Sequence, residues 1–350
     1  PNTISTNSAA NQGPFGTRIN YYGNEYNSFS DPWGGFPGGN PMPVTGFDAV
    51  DTDVLNPPSD AAFFPTHVAF VYERNMRNAY MQSWNLTLER EFAKDFVGRI
   101  SYAGSKGTAL VSGRDVNAPL PDPNADTGST NERRPLYPDF GRVTLIEGVG
   151  NSSYNAMQLT VEKRFSRGYS IMANYTWSHA IDNNQGSANK GTGISVTNPL
   201  DLSLDRGTAD FDRTHVFNFS GLWELPFHFD NGAAEAFLGG WNTTAIITIY
   251  SGDPFYIQSG VDNARTGQGG QRADLVGNPD RGDQTRGEKI EEYLNKDAFA
   301  PNALGTYGTL GRNVFRDEGF TSVDLGIHKR FAIAESTYAE FRFEMFNAFN

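Results

Sequence analysis

The 350-residue sequence contains no cysteine. That excludes disulfide scaffolds, thiolate zinc sites, iron–sulfur clusters and thiol nucleophiles in one step. Long apolar runs are missing too. The longest, Val68–Tyr72, has five residues, whereas a membrane-crossing helix needs about 20. No signal peptide opens the chain: residue 1 is Pro, and PNTISTNSAANQGPFG has neither a basic start nor an apolar core. Charge is sparse and skewed. Charged residues make up 19%, with 28 basic against 40 acidic side chains and a net charge of −12. So acidic a chain is a poor electrostatic match for DNA or RNA, and no nucleic-acid partner is expected.

What is present has a β character. Aromatic residues reach 13% and there are 38 glycines, a composition that favours strands and turns over helices. The first 60 residues hold eight Gly, eight Pro and eight Asn, which argues against regular structure. Residues 1–78 are therefore read as a Gly/Pro/Asn-rich loop region. From Ala79 onward, period-2 alternation takes over. Residues 79–92 place Tyr80, Trp84, Leu86, Leu88 and Phe92 opposite Ser83, Asn85, Thr87, Glu89 and Glu91. The same opposition defines strands near 96–104, 154–165, 169–180, 214–225, 241–251, 321–331 and 337–349. In the last, Phe341, Phe343 and Met345 oppose Glu340, Arg342 and Glu344.

These eight strands exceed the usual length of about 5–6 residues. Ten residues tilted by about 40° do cross the apolar band of a bilayer, roughly 25 Å. A large antiparallel transmembrane β-barrel also gives the charged parity a wet interior and the apolar parity a lipid exterior. The connections are a second signal. The segments 93–95, 166–168, 226–240 and 332–336 are short, and 105–153, 181–213 and 252–320 are long, in strict alternation. Long outer loops and short periplasmic turns are the pattern of an outer-membrane barrel. Trp84, Tyr102, Trp177 and Tyr250 fall toward the long loops, and Phe92, Phe165, Trp223 and Trp241 toward the short turns. Interfacial aromatic girdles belong there, although aromatics favour strands in general.

The succession SWNLTLERE, YAGSKGT, SSYNAMQLTVEKRFSRGYSIMANYTWSHAID, DRGTADFDRTHVFNFSGLWELPF, LGGWNTTAIITIYSGDPF, GTLGRNVFR, DLGIHKRF and FRFEMFNAFN resembles the barrel of Oar-like TonB-dependent outer-membrane receptors, over roughly Tyr80 to Asn350. The resemblance implies a 22-stranded barrel, of which about eight strands, numbers 14 to 21, are present. It also implies an N-terminal carboxypeptidase-regulatory-like domain, a plug domain and a TonB box outside this chain. Both ends are accordingly read as internal to a longer protein. The implied partners are outer-membrane lipid, the plug domain and the TonB complex, and the implied location is the bacterial outer membrane.

The residues offer little chemistry beyond this. Asp210, Asp212 and His215, in DFDRTH, are types that bind divalent metals. No second cluster sits at ligand spacing, so a loop-ordering role is the expectation. His67, His179, His228 and His328 are scattered, and no G-x-S-x-G elbow is present. The glycine clusters at 191–193 and 267–270 precede no helical pattern, so no phosphate cradle is expected. In EKIEEYLN, Ile290, Tyr293 and Leu294 share a helical face and are expected to pack the longest loop upon itself. No catalytic residue, cofactor or metal is assigned, and an enzyme is not expected. The rival classes are a passive porin or structural barrel, and a secreted β-rich glycan-binding module.

Overall fold

The computed structural model describes residues 68–125, 130–138, 141–183, 196–267, 271–334 and 336–349. The loop reading of residues 1–67 and the glycine cluster at 191–193 lie outside the described residues, as do residues 268–270.

Eight long strands build one antiparallel meander: β2 (Tyr80–Ala93), β3 (Phe96–Asp115), β4 (Arg142–Ser166), β5 (Tyr169–Asp182), β7 (His215–Glu224), β8 (Trp241–Tyr250), β13 (Phe320–Ala334) and β14 (Thr337–Met345). Each pairs with its neighbour in the chain, so β2 and β14 are the two edges of an open sheet. The connections keep their alternation. Tight links at 94–95, 167–168 and 335–336 and a 225–240 link face the long segments 116–141, 183–214 and 251–319. Tightness has a local cause: Asp95, Arg167 and Gly168 adopt positive φ, which closes a hairpin in two residues. The 225–240 link holds a short helix, α1 (Gly232–Leu238), capped by the Asn231 side chain.

Register explains the two faces. Leu88, Ile100, Leu159, Tyr175, Phe217 and Ile249 form one continuous row across six strands. The next row is Glu89, Arg99, Thr160, Asn174, Asn218, Thr248 and Ser322, all polar. The apolar face is bare in the isolated chain, with Leu86 65% and Leu88 63% exposed. Burying each such side chain is worth roughly 1.5–3 kcal/mol, so this face calls for an apolar medium. At its long-loop end the Trp84 indole lies across Gly104, where a Cβ would come within 2.4 Å of Nε1.

Two lysines interrupt the apolar face near the tight turns. Lys163 donates to the Arg164 and Ser166 carbonyls at 3.0 and 2.9 Å and lies 3.9 Å from the Tyr169 ring centroid. Lys329 donates to the Gly239 carbonyl between the rings of Trp241 and Phe331. Each ammonium thus reaches a polar turn past an aromatic screen, as long cationic side chains do at membrane interfaces.

The structure departs from the alternation in four places. First, β3 runs past residue 104 to Asp115, and β4 starts at Arg142 rather than 154, so the loop between them is 116–141. Second, residues 68–72, inside the region read as loop, form β1 (Val68–Tyr72), parallel to the start of β4. Coverage accounts for both: Ala109, Ser112, Val143, Thr144, Ile146 and Glu147 are buried, so neither parity faces a uniform medium. Third, β14 ends at Met345, short of residue 349. Fourth, Tyr250 shares its face with Thr248 and pairs with Val216 and Phe320. It belongs to the polar face and not to the apolar girdle.

Candidate functional site: the folded long loops

Much of the buried interior of the described chain lies among the long loops, and its largest fully buried side chains are mostly polar. Asp115, Asn117, Asp205, Asp212, Gln271, Arg272, Asn302 and Arg312 are each 3% exposed or less. Buried polar groups require partners, and the partners here come both from within each segment and from the other segments.

Segment 116–141 folds around Asn117. Its Nδ2 donates to the carbonyls of Tyr137 and Gly141 at 2.9 Å, and its Oδ1 accepts from the Tyr137 amide at 3.0 Å. Asp115 supports this hub by accepting from the Val143 amide at 3.0 Å and pairing with Arg134 at 3.4 Å. Segment 183–214 carries the acids. Asp205 accepts from the Thr197 amide at 2.9 Å, the Thr197 hydroxyl at 2.8 Å and Arg272 at 2.5 Å. Segment 251–319 turns on Asp262, which accepts from the amides of Thr266 and Gly267 and from Gln271. Two-residue pairs, β9 (Pro254–Phe255) with β12 (Phe315–Arg316) and β10 (Asp274–Leu275) with β11 (Phe299–Ala300), close it, while β6 (Gly207–Thr208) of the preceding segment pairs with the end of β5.

Guanidinium groups join the segments. Arg114, at the end of β3, pairs with Glu147 at 2.5 Å and donates to the Pro199 carbonyl at 3.0 Å. Arg133 donates to the Arg265 carbonyl. Arg272 reaches both Asp205 and the Leu204 carbonyl, the latter at 2.7 Å. Arg312 pairs with Asp182 and with Asp210, the latter at 3.0 Å, and donates to the Asp205 carbonyl at 3.1 Å. Arg316 pairs with Asp212 and donates to the Asp212 and Gly252 carbonyls at 3.2 and 3.1 Å. A planar guanidinium suits this task because it serves a carboxylate and a carbonyl at once. The described parts of the three segments are therefore tied into one body.

Burial perturbs the titrating groups. Desolvation pushes the Asp205 carboxyl up, against the Thr197 hydrogen bonds and the charges of Arg272 and Arg312, and it pulls Arg272 down. The Tyr307 phenol is pushed up to about 12, again chiefly by burial.

The sequence-predicted candidates separate. Asp210 accepts from Arg312 and from Asn313 Nδ2, and Asp212 is held by Arg316 and the Ala180 amide. His215 lies on β7 with its Nδ1 2.8 Å from the Tyr175 hydroxyl. DFDRTH thus orders a loop. Among the described residues no three His, Asp or Glu side chains converge on a metal position. His179 lies 3.6 Å from Asp212, His228 faces Glu235, and His328 faces Thr244. The island EKIEEYLN becomes α2 (Arg286–Glu291), with a capping box from Thr285 and Glu288. Tyr293 ties it to the Arg316 carbonyl at 2.7 Å and Lys289 ties it to Glu318 at 2.8 Å. Ile290, expected on the packed face, is exposed. The arginines at 272, 312 and 316 carried no local sequence signal, since their acids lie far away in the chain.

A family model described as "Outer membrane beta barrel domain" matches residues 1–350. Among solved structures, that of the outer membrane transporter YddB from Escherichia coli aligns with a TM-score of 0.44 and 9% identity, covering 80% of this chain. The alignment spans 30% of the YddB chain. No curated protein matches.

Proposed function

The chain belongs to the outer membrane beta barrel domain family and is placed in the bacterial outer membrane, and from that premise we propose that it is part of an Oar-like, TonB-dependent receptor that takes up a substrate. In such barrels the apolar face meets lipid, long loops face outward and short turns face the periplasm. The tied loops are then the surface that a solute meets first. That cap is the observation supporting the reading: five arginines from 114 to 316 hold three segments in one preassembled body, as a receptor needs to bind without a large ordering cost.

On this reading the described strands are about eight of 22, and the plug domain and TonB contact come from N-terminal parts of the whole protein. The protein is a receptor and not an enzyme, with lipid and the TonB complex as partners and no nucleic acid. The full-length protein in a planar bilayer should show no steady ion conductance and should cross-link to TonB in cells. Steady conductance without the cross-link would make it a passive channel.

A further inference from the structure

The polar face of the wall changes character from strand to strand. Near its two edges it is charged, with Glu89 on Arg99 at 2.5 Å on β2 and β3 and Glu340 between Arg330 and Arg342 at 3.7 and 3.1 Å on β13 and β14. On β4 to β13 the character changes. Thr160, Asn174, Asn218, Thr248 and Ser322 lie side by side across five strands and none is ionisable. The Thr160 hydroxyl meets the Asn174 oxygen at 3.0 Å, and the Thr248 hydroxyl meets the Asn218 oxygen at 3.3 Å. With both oxygens taken, each carboxamide presents its Nδ2 group as a donor.

One step closer to the long loops, an aromatic shelf overhangs this rung. Tyr250 and Phe320 stack with centroids 4.8 Å apart and planes 21° from parallel. The Arg213 guanidinium lies 4.1 Å from the Tyr250 centroid and is itself held by Asp253 at 2.8 Å. The shelf is therefore braced on its loop side, and Phe320 is 43% exposed.

A flat ring surface beside a line of neutral donors and acceptors suits one ligand chemistry. A charged solute finds no counter-charge among these five residues, and a purely apolar one strands the carboxamide donors. A pyranose offers an apolar C–H face for the rings and hydroxyls for the amides. We infer that this strip binds a neutral oligosaccharide, stacked on the exposed Phe320 ring that Tyr250 backs, and hydrogen-bonded to Asn174 and Asn218. The inference rests on the receptor reading only in taking the polar face as the barrel interior.

The test is isothermal titration of the full-length protein in detergent with maltohexaose, cellohexaose and xylohexaose. At least one should bind, and Phe320→Ala should weaken it by about tenfold, the loss of one stacked ring. Phe320→Leu, which keeps the bulk without the ring, and Asn218→Leu should weaken it as well. Phe217→Leu, one residue from Asn218 and on the apolar face, should leave binding unchanged in a protein that still runs as a heat-modifiable band. Binding by none of the three sugars, or binding indifferent to all the polar-face variants, would show that the strip has another occupant and would overturn the inference. Titration needs no TonB, so the uptake reading stands or falls separately on the cross-link and the conductance.

Discussion

Arg312→Met is the sharpest perturbation of the tied loops. The Arg312 side chain is 0% exposed, and its partners Asp182 and Asp210 are 12% and 46% exposed. Methionine keeps the length and loses the charge. Removing one member of a buried ion pair costs about 3–5 kcal/mol, because the remaining carboxylate stays desolvated. Water around Asp210 screens that half of the site, so about 3 kcal/mol is the better expectation. At 1.4 kcal/mol per decade the open population of the loops rises by about 100-fold. Limited proteolysis of the full-length protein in outer-membrane vesicles reads that population when opening and closing outrun cleavage. Cleavage within 251–319 should accelerate by about 100-fold, and heat-modifiability of the barrel should not change. Asp210→Asn, at the half-exposed partner, should change cleavage less than about fivefold. Adding Asp182→Leu to Arg312→Met should recover part of the protection, because the stranded charge goes with it. Wild-type protection in Arg312→Met, or equal effects of Arg312→Met and Asp210→Asn, would refute a cap held by buried charge.

Phe219→Arg, midway along the apolar face, should cost about 2–4 kcal/mol in a liposome unfolding assay, while Ser220→Arg on the opposite face should cost far less; equal costs would reverse the faces. The Tyr307 phenol is pushed up to about 12, above its ordinary value of about 10. The folded loops hold that proton more tightly than the unfolded chain, so stability is intact below pH 10 and is lost as pH rises toward 12. The ultraviolet tyrosinate titration should lose its latest component in Tyr307→Phe. A tag inserted at Gly282, where nothing lies within 4 Å of an added side chain, should be labelled on intact cells, and one at Gly168 should not; the converse would invert the topology. Lys163→Met should unfold more readily than Arg164→Met, since the Lys163 ammonium donates to turn carbonyls at 3.0 and 2.9 Å.

Strand positions were legible wherever one face meets an apolar medium and the other water. In β2, Leu86 and Leu88 against Thr87 and Glu89 carry the period that a wall between two media imposes. The signal fails where that condition fails. The long-loop end of β4 holds Val143 and Ile146 beside Thr144 and Glu147, all buried, and a strand covered on both sides has no parity to read. Tyr250 misled for a related reason. Aromatics at strand ends suggest a girdle, but its even position sets it beside Thr248. The loop cap was not legible at all. Arg312 finds Asp182 across 130 residues and Asp212 finds Arg316 across 104, and only the completed meander sets those residues together. Asp210 and Asp212, with His215, were visible as a cluster for which loop ordering was the expectation, but the arginines that hold the two aspartates were not.

The hydrophobic fraction, 38%, is low for a chain with so much ordered structure, and the fold explains how it suffices. A membrane wall spends its apolar side chains on the outside, where lipid supplies the burial, so the sheet needs no apolar interior of its own. The loops stand beyond the lipid and have too few apolar residues to form a conventional core. Beside small apolar residues such as Ala118, Ala264 and Ala273, their buried positions hold Asp205, Arg272, Arg312 and Asn302. Such a core is stabilised by geometry more than by area, since each charge must find its partner or cost several kcal/mol. Apolar cores tolerate repacking, whereas a network of this kind admits few alternative arrangements. Loop positions that hold one arrangement keep the surface of loops as long as 251–319 in one shape, which is the property the proposed receptor function requires of them.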